Sequence, residues 1–113
     1  MKDLVDNGLL YDFYGELLTE HQRNIYEAAV YDDLSLNEIA LEHGISRQGV
    51  HDLIKRCTAT MEGYEDKLHM VERYRKISAC AQRLKDMDKQ ELSREELITE
   101  IGSIADNILE ELS

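Results

Sequence analysis

Apolar residues recur along the chain at spacings of three and four, the signature of helices with one buried face. Leu10, Phe13, Tyr14, Leu17 and Leu18 predict a first helix over about residues 3–18. Thr19 is the expected N-cap of a second helix. Gln22 three residues later completes a capping box, and Ile25, Tyr26, Ala29 and Val30 form the apolar stripe. The stripe stops at Tyr31-Asp32-Asp33. Ser35 and Glu38 repeat the capping device and open a helix that Gly44 should end, because a left-handed C-cap suits glycine. Ser46 then caps a helix beginning at Arg47, and Gly63 is the one plausible interruption before Asp88.

Further on, Met70, Tyr74, Ile77, Ala81 and Leu84 step by four and three, as in the seam of a packed helix pair. Ser93, with Glu96 at the third position, starts a last helix bearing Leu97, Ile101, Ile104, Ala105, Ile108 and Leu112. Two such helices joined by a few polar residues predict an αα-hairpin, since neither buries its stripe alone. The expected fold is therefore all-α. A helix-turn-helix domain over residues 1–62 precedes a C-terminal hairpin over 63–113. A homodimer interface is expected on that hairpin, at Met70, Tyr74, Ile77, Ala81, Leu84, Ile101, Ile104 and Ile108.

The segment Leu36–Arg56, LNEIALEHGISRQGVHDLIKR, carries the helix-turn-helix pattern. Ala40 is small enough for two helices to cross. Gly44 tolerates the turn. Ile39, Ile45, Val50 and Leu53 sit where apolar groups must lock both helices to the domain. His43 departs from the pattern, standing where a large aliphatic residue is usual, and implies an open joint or an extra polar contact. If the motif binds a duplex, its second helix presents Arg47, Gln48, His51, Asp52 and Lys55 to the major groove. Arg47 can pair with guanine and Gln48 with adenine, while Lys55 and Arg56 suit phosphates. Asp52 would repel phosphate unless it accepts from cytosine or pairs with Lys55. The same residues also read as a solvated, mixed-charge helix face.

Composition supports a helical reading. The 113 residues include no proline, and charged residues make up 33%. The net charge of −11 opposes general affinity for phosphate, but its distribution is uneven. Residues 1–44 carry −8, residues 45–90 carry +3 and residues 91–113 carry −6, so the positive excess lies around the motif. Lys67, Arg73, Arg75, Lys76, Arg83 and Lys85 continue it along the chain, where solubility alone is the better reason for them.

No apolar run approaches the length of a membrane span and the start lacks a leader's apolar stretch, so a cytoplasmic protein is expected. Cys57 and Cys80 lack Cys-x-x-Cys spacing and are expected to be buried or inert thiols. The six glycines are scattered and the four histidines have no ligand spacing. Neither a metal, nor another cofactor, nor catalysis is expected.

Residues 10–85, most distinctly Leu18–Asp33 and Ser35–Arg56, resemble the YlxM-like family of small bacterial proteins. Leu18–Leu53 is more distantly similar to the domain of sigma factors that recognises the −35 element. The resemblance implies a DNA-binding regulatory protein associated with the signal recognition particle pathway. Partners would then be DNA, or else that particle's RNA or GTPase. It brings no catalytic residues.

Overall fold

The computed structural model describes residues 4–113, with side chains from residue 8 onward. The beginning of the first predicted helix, and the start of the chain read for a leader, lie outside them. The described residues form six α-helices and no strand: α1 (Leu4–Tyr14), α2 (Glu20–Val30), α3 (Leu36–His43), α4 (Arg47–Leu68), α5 (Met70–Asp86) and α6 (Arg94–Leu112). Single 3₁₀ turns follow α1 at Gly15–Leu17 and α5 at Met87–Lys89. The chain divides into two compact units, residues 1–69 and 70–113.

The helix boundaries follow from local hydrogen bonding. Thr19 Oγ1 accepts from the Gln22 amide while the Gln22 side chain accepts from the Thr19 amide, a complete capping box. Ser35 and Glu38 do the same for α3. Ser46 and Ser93 cap α4 and α6 by accepting from the amides of Gly49 and Glu96. Each cap satisfies an amide that the first turn leaves without a partner, typically worth about 1 kcal/mol.

The interruption expected at Gly63 does not occur. Helix α4 runs through it for 22 residues and ends at His69, which adopts a left-handed conformation at φ 55°. A glycine inside a helix costs only about 1 kcal/mol relative to alanine, which the packing of Met61 and Cys57 on the same helix offsets.

In the first unit, Ile25, Ala28, Ile39 and Val50 make a core of buried residues, flanked by Ile45, Leu53 and Ala40. Leu10, Tyr14 and Leu18 are buried as the spacing predicted, whereas Phe13 and Leu17 on the same predicted face stand 36% and 57% exposed. The change to a 3₁₀ turn at Gly15 rotates the last turn, so Leu17 no longer follows the α-helical stripe. The Tyr11 ring stacks on Tyr26 at 5.4 Å and meets Tyr31 edge-on at 5.7 Å. It also lies so close to Gly15 that a Cβ there would stand 2.7 Å from the ring. The phenols of Tyr11 and Tyr31 donate to Glu27 and Asp12, at 2.8 and 2.7 Å. Burial together with the carboxylate it serves pushes the Tyr11 phenol up to about 12, and Tyr31 is raised for the same reasons.

In the second unit, α5 and α6 form the predicted αα-hairpin, but its seam is not the one the spacing indicated. Cys80, Met87 and Ile104 are buried, with Leu92, Leu97 and Ile108 packed against them. Met70, Tyr74 and Leu84 are 41–50% exposed and Ala81 is exposed, while Ile77 is half-buried. Ile104 was expected at a dimer interface; fully buried inside the hairpin, it has no surface to offer a partner. Arg83 to Glu100 and Lys76 to Glu111 bridge the two helices.

Candidate nucleic-acid interface

The helix-turn-helix is formed by α3, a short turn and the first half of α4. Gly44 ends α3 at φ 67°, where a side chain would strain the backbone. The Ala40 carbonyl accepts from the amides of both Gly44 and Ile45, which pins the turn. Ile45 then enters the core edge, and the Ser46 cap sets the direction of α4.

Helix α4 has two sides. Val50 and Cys57 are fully buried and Leu53 and Ile54 are packed against the core, which fixes the helix in place. Burial pushes the Cys57 thiol up, away from a reactive thiolate, as expected of an inert cysteine. Farther along, the Tyr26 hydroxyl lies 3.3 Å from Thr58 Oγ1, and Thr58 donates to the Ile54 carbonyl at 3.0 Å.

Away from that buried side Arg47, Gln48, His51, Lys55 and Arg56 are all exposed. Arg47, Gln48 and His51 line a shallow depression of about 390 Å³ with Leu36. Arg47, Gln48 and His51 are thus brought together and Lys55 continues their side of the helix, whereas Arg56, nine residues or about half a turn of rotation from Arg47, leaves the helix on another side.

Asp52 modifies this face. Gln48 Nε2 donates to Asp52 Oδ1 at 2.9 Å, one helical turn away, and His51 Nδ1 lies 3.6 Å from the same oxygen. The sequence offered Lys55 or a cytosine as partner for Asp52, whereas the hydrogen bond to its carboxylate comes from Gln48. Asp52 therefore occupies a group otherwise free to read an adenine edge.

The irregular position His43 is half-buried, its ring edge-on to His21 at 6.3 Å. An exposed imidazole from α2 thus lies beside the irregular position, a contact that spacing within the motif could not reveal. Among the described residues no cluster of histidine, cysteine and carboxylate side chains is suited to hold a metal.

Residues 2–101 match the family described as "UPF0122: Putative helix-turn-helix protein, YlxM / p13 like". The chain belongs to the UPF0122 family. It is 43% identical to a UPF0122 protein of Halalkalibacterium halodurans over 84% of its own length and 87% of that protein's. It is also 43% identical to one of Symbiobacterium thermophilum, over 82% and 88% of the two chains. A relative from Clostridium kluyveri is 47% identical over 68% and 69%. The UPF0122 match covers the whole helix-turn-helix and extends into α6. No helix among the described residues is long and apolar enough to cross a membrane.

Proposed function

We propose that this chain is a regulatory protein that binds duplex DNA through the first half of α4. One observation carries this reading: Arg47, His51 and Lys55 stand on the open side of a helix whose other side is locked into the core by Val50 and Cys57. A helix held in this way enters a major groove without first paying to order itself. Arg47 at the start of the helix reads a guanine edge, and Lys55 and Arg56 hold phosphates. On this reading the chain acts by binding, inside the cell.

The Gln48–Asp52 bond favours a second reading. With Gln48 engaged and Asp52 repelling phosphate, the face has little left for base-specific contact beyond Arg47. A structured RNA, recognised by shape and phosphate, needs less of it. The likeness to YlxM-like proteins makes the RNA or GTPase of the signal recognition particle the natural candidate.

A titration of the chain against random duplex DNA and signal recognition particle RNA, repeated over a range of salt, separates these readings. Duplex binding is expected with a log–log salt slope of about −2, as two phosphate contacts give. Arg47→Ala should cost about 1–3 kcal/mol at one base position and little elsewhere. Uniform weakening over all sequences would instead make Arg47 a phosphate contact. Preference for the RNA would favour the second reading, and no binding to either at low salt would contradict both.

A further inference from the structure

Each helix of the hairpin carries a second apolar stripe beside its buried seam. On α6, Ile98, Ile101, Leu109 and Leu112 are 49–66% exposed, with the small Ala105 among them. On α5 the corresponding stripe is Tyr74, Ala81 and Leu84. At about 100° per residue, each stripe lies roughly a quarter-turn from the seam of its own helix. The helices run antiparallel, so the same rotation carries both stripes to one side of the hairpin. Leu84 and Ile101 accordingly line a single shallow apolar depression with Met87 and Leu97.

We propose that this side of the hairpin binds the same side of a second copy of the chain, forming an antiparallel four-helix bundle. Size is the first reason. Leu84, Ile98, Ile101, Leu109 and Leu112 together leave on the order of 500 Å² of apolar surface in water, as much as the largest patch on a typical monomer. With Tyr74 and the polar rim, the face approaches the ~800 Å² per partner of a standard stable interface.

Charge is the second reason, and it selects a copy of this chain. Helix α5 carries five basic and two acidic residues, and α6 one basic and six acidic. Lys76 and Arg83 are already paired with Glu111 and Glu100 across the hairpin, while Lys85 flanks the α5 stripe and Glu95 and Asp106 flank that of α6. A twofold axis parallel to the helices sets α5 of one copy against α6 of the other, so that opposite charges meet along both edges. The alternative twofold axis, crossing the helices, would set α5 against α5 and is disfavoured by like charges. In the favoured arrangement Lys85 and the partner copy's acidic edge at Glu95 fall at the same end of the bundle, near the hairpin turn. Ile104 plays no part in the interface, because it already belongs to the core of each hairpin.

Sedimentation of the full chain tests this. A dimer is expected at tens of micromolar. Leu109→Glu should raise its dissociation constant by at least about tenfold while the helical circular dichroism of the monomer stays unchanged, because the side chain is 63% exposed. Lys85→Glu should weaken the dimer more modestly, and adding Glu95→Lys should restore it. If Leu109→Glu disturbs folding, the charge-swap pair still decides. A monomer at about 100 µM, or a dimer indifferent to all of these substitutions, would overturn the proposal.

Discussion

The two units use the same kind of amphipathic helix and reach different ends. In residues 1–69, four helices surround Ile25, Tyr26, Ile39 and Val50, and most of the apolar stripes are used up inside. In residues 70–113 there are only two helices, and two helices enclose one seam. Cys80, Met87 and Ile104 fill it, and the stripe of Ile98, Leu109 and Leu112 stays in water. The first unit closes its own core and leaves separate apolar residues such as Leu17 and Leu41 in water, while the open side of α4 at Arg47, Gln48 and His51 is polar. The second has an apolar surplus on one side. Polar surplus points towards a polar ligand and apolar surplus towards another protein surface.

A pair of truncations should separate the two units most clearly. Ile39→Ala removes a fully buried side chain and should destabilise the first unit by about 2–5 kcal/mol in chemical denaturation. Leu109→Ala, made on a residue 63% exposed, should change the stability of the dilute monomer by less than about 0.5 kcal/mol. Equal losses would mean that the hairpin's outer stripe is part of its core after all.

A smaller effect is expected from alkali. The Tyr11 phenol is raised to about 12 in the folded chain, against about 10 unfolded. A group whose folded value is raised stabilises the fold fully below its unfolded value and loses that contribution as pH climbs through the folded one. The first unit should thus lose stability between about pH 10 and 12. Tyr11→Phe should reduce that pH dependence in denaturation curves, Tyr31 supplying what remains, and should leave the hairpin unaffected.

Much of the fold was legible because its signals are local. Thr19 with Gln22, Ser35 with Glu38, Ser46 and Ser93 each act within three residues, and Gly44 announces its own conformation. What escaped was decided by tertiary packing or by unusual backbone. His69 ends α4 in a left-handed conformation that sequence reasoning reserves for glycine, so the nearby Gly63 looked like the better break. On α5, the regular stripe of Met70, Tyr74, Ile77, Ala81 and Leu84 was more conspicuous than Cys80 and Met87. Nothing in one helix says which of two stripes its neighbour will cover. The candidate face was legible in its residues but not in its wiring. Periodicity places Gln48 and Asp52 a turn apart, yet only side-chain geometry shows the bond between them.

In the proposed function, the first half of α4 carries nucleic-acid binding. Amide chemical-shift mapping of the full chain titrated with random duplex DNA and, separately, with signal recognition particle RNA tests it most directly. The perturbed amides are expected to concentrate at residues 47–56 for whichever nucleic acid binds. Perturbations confined to residues 70–113, with 47–56 unmoved, would contradict it.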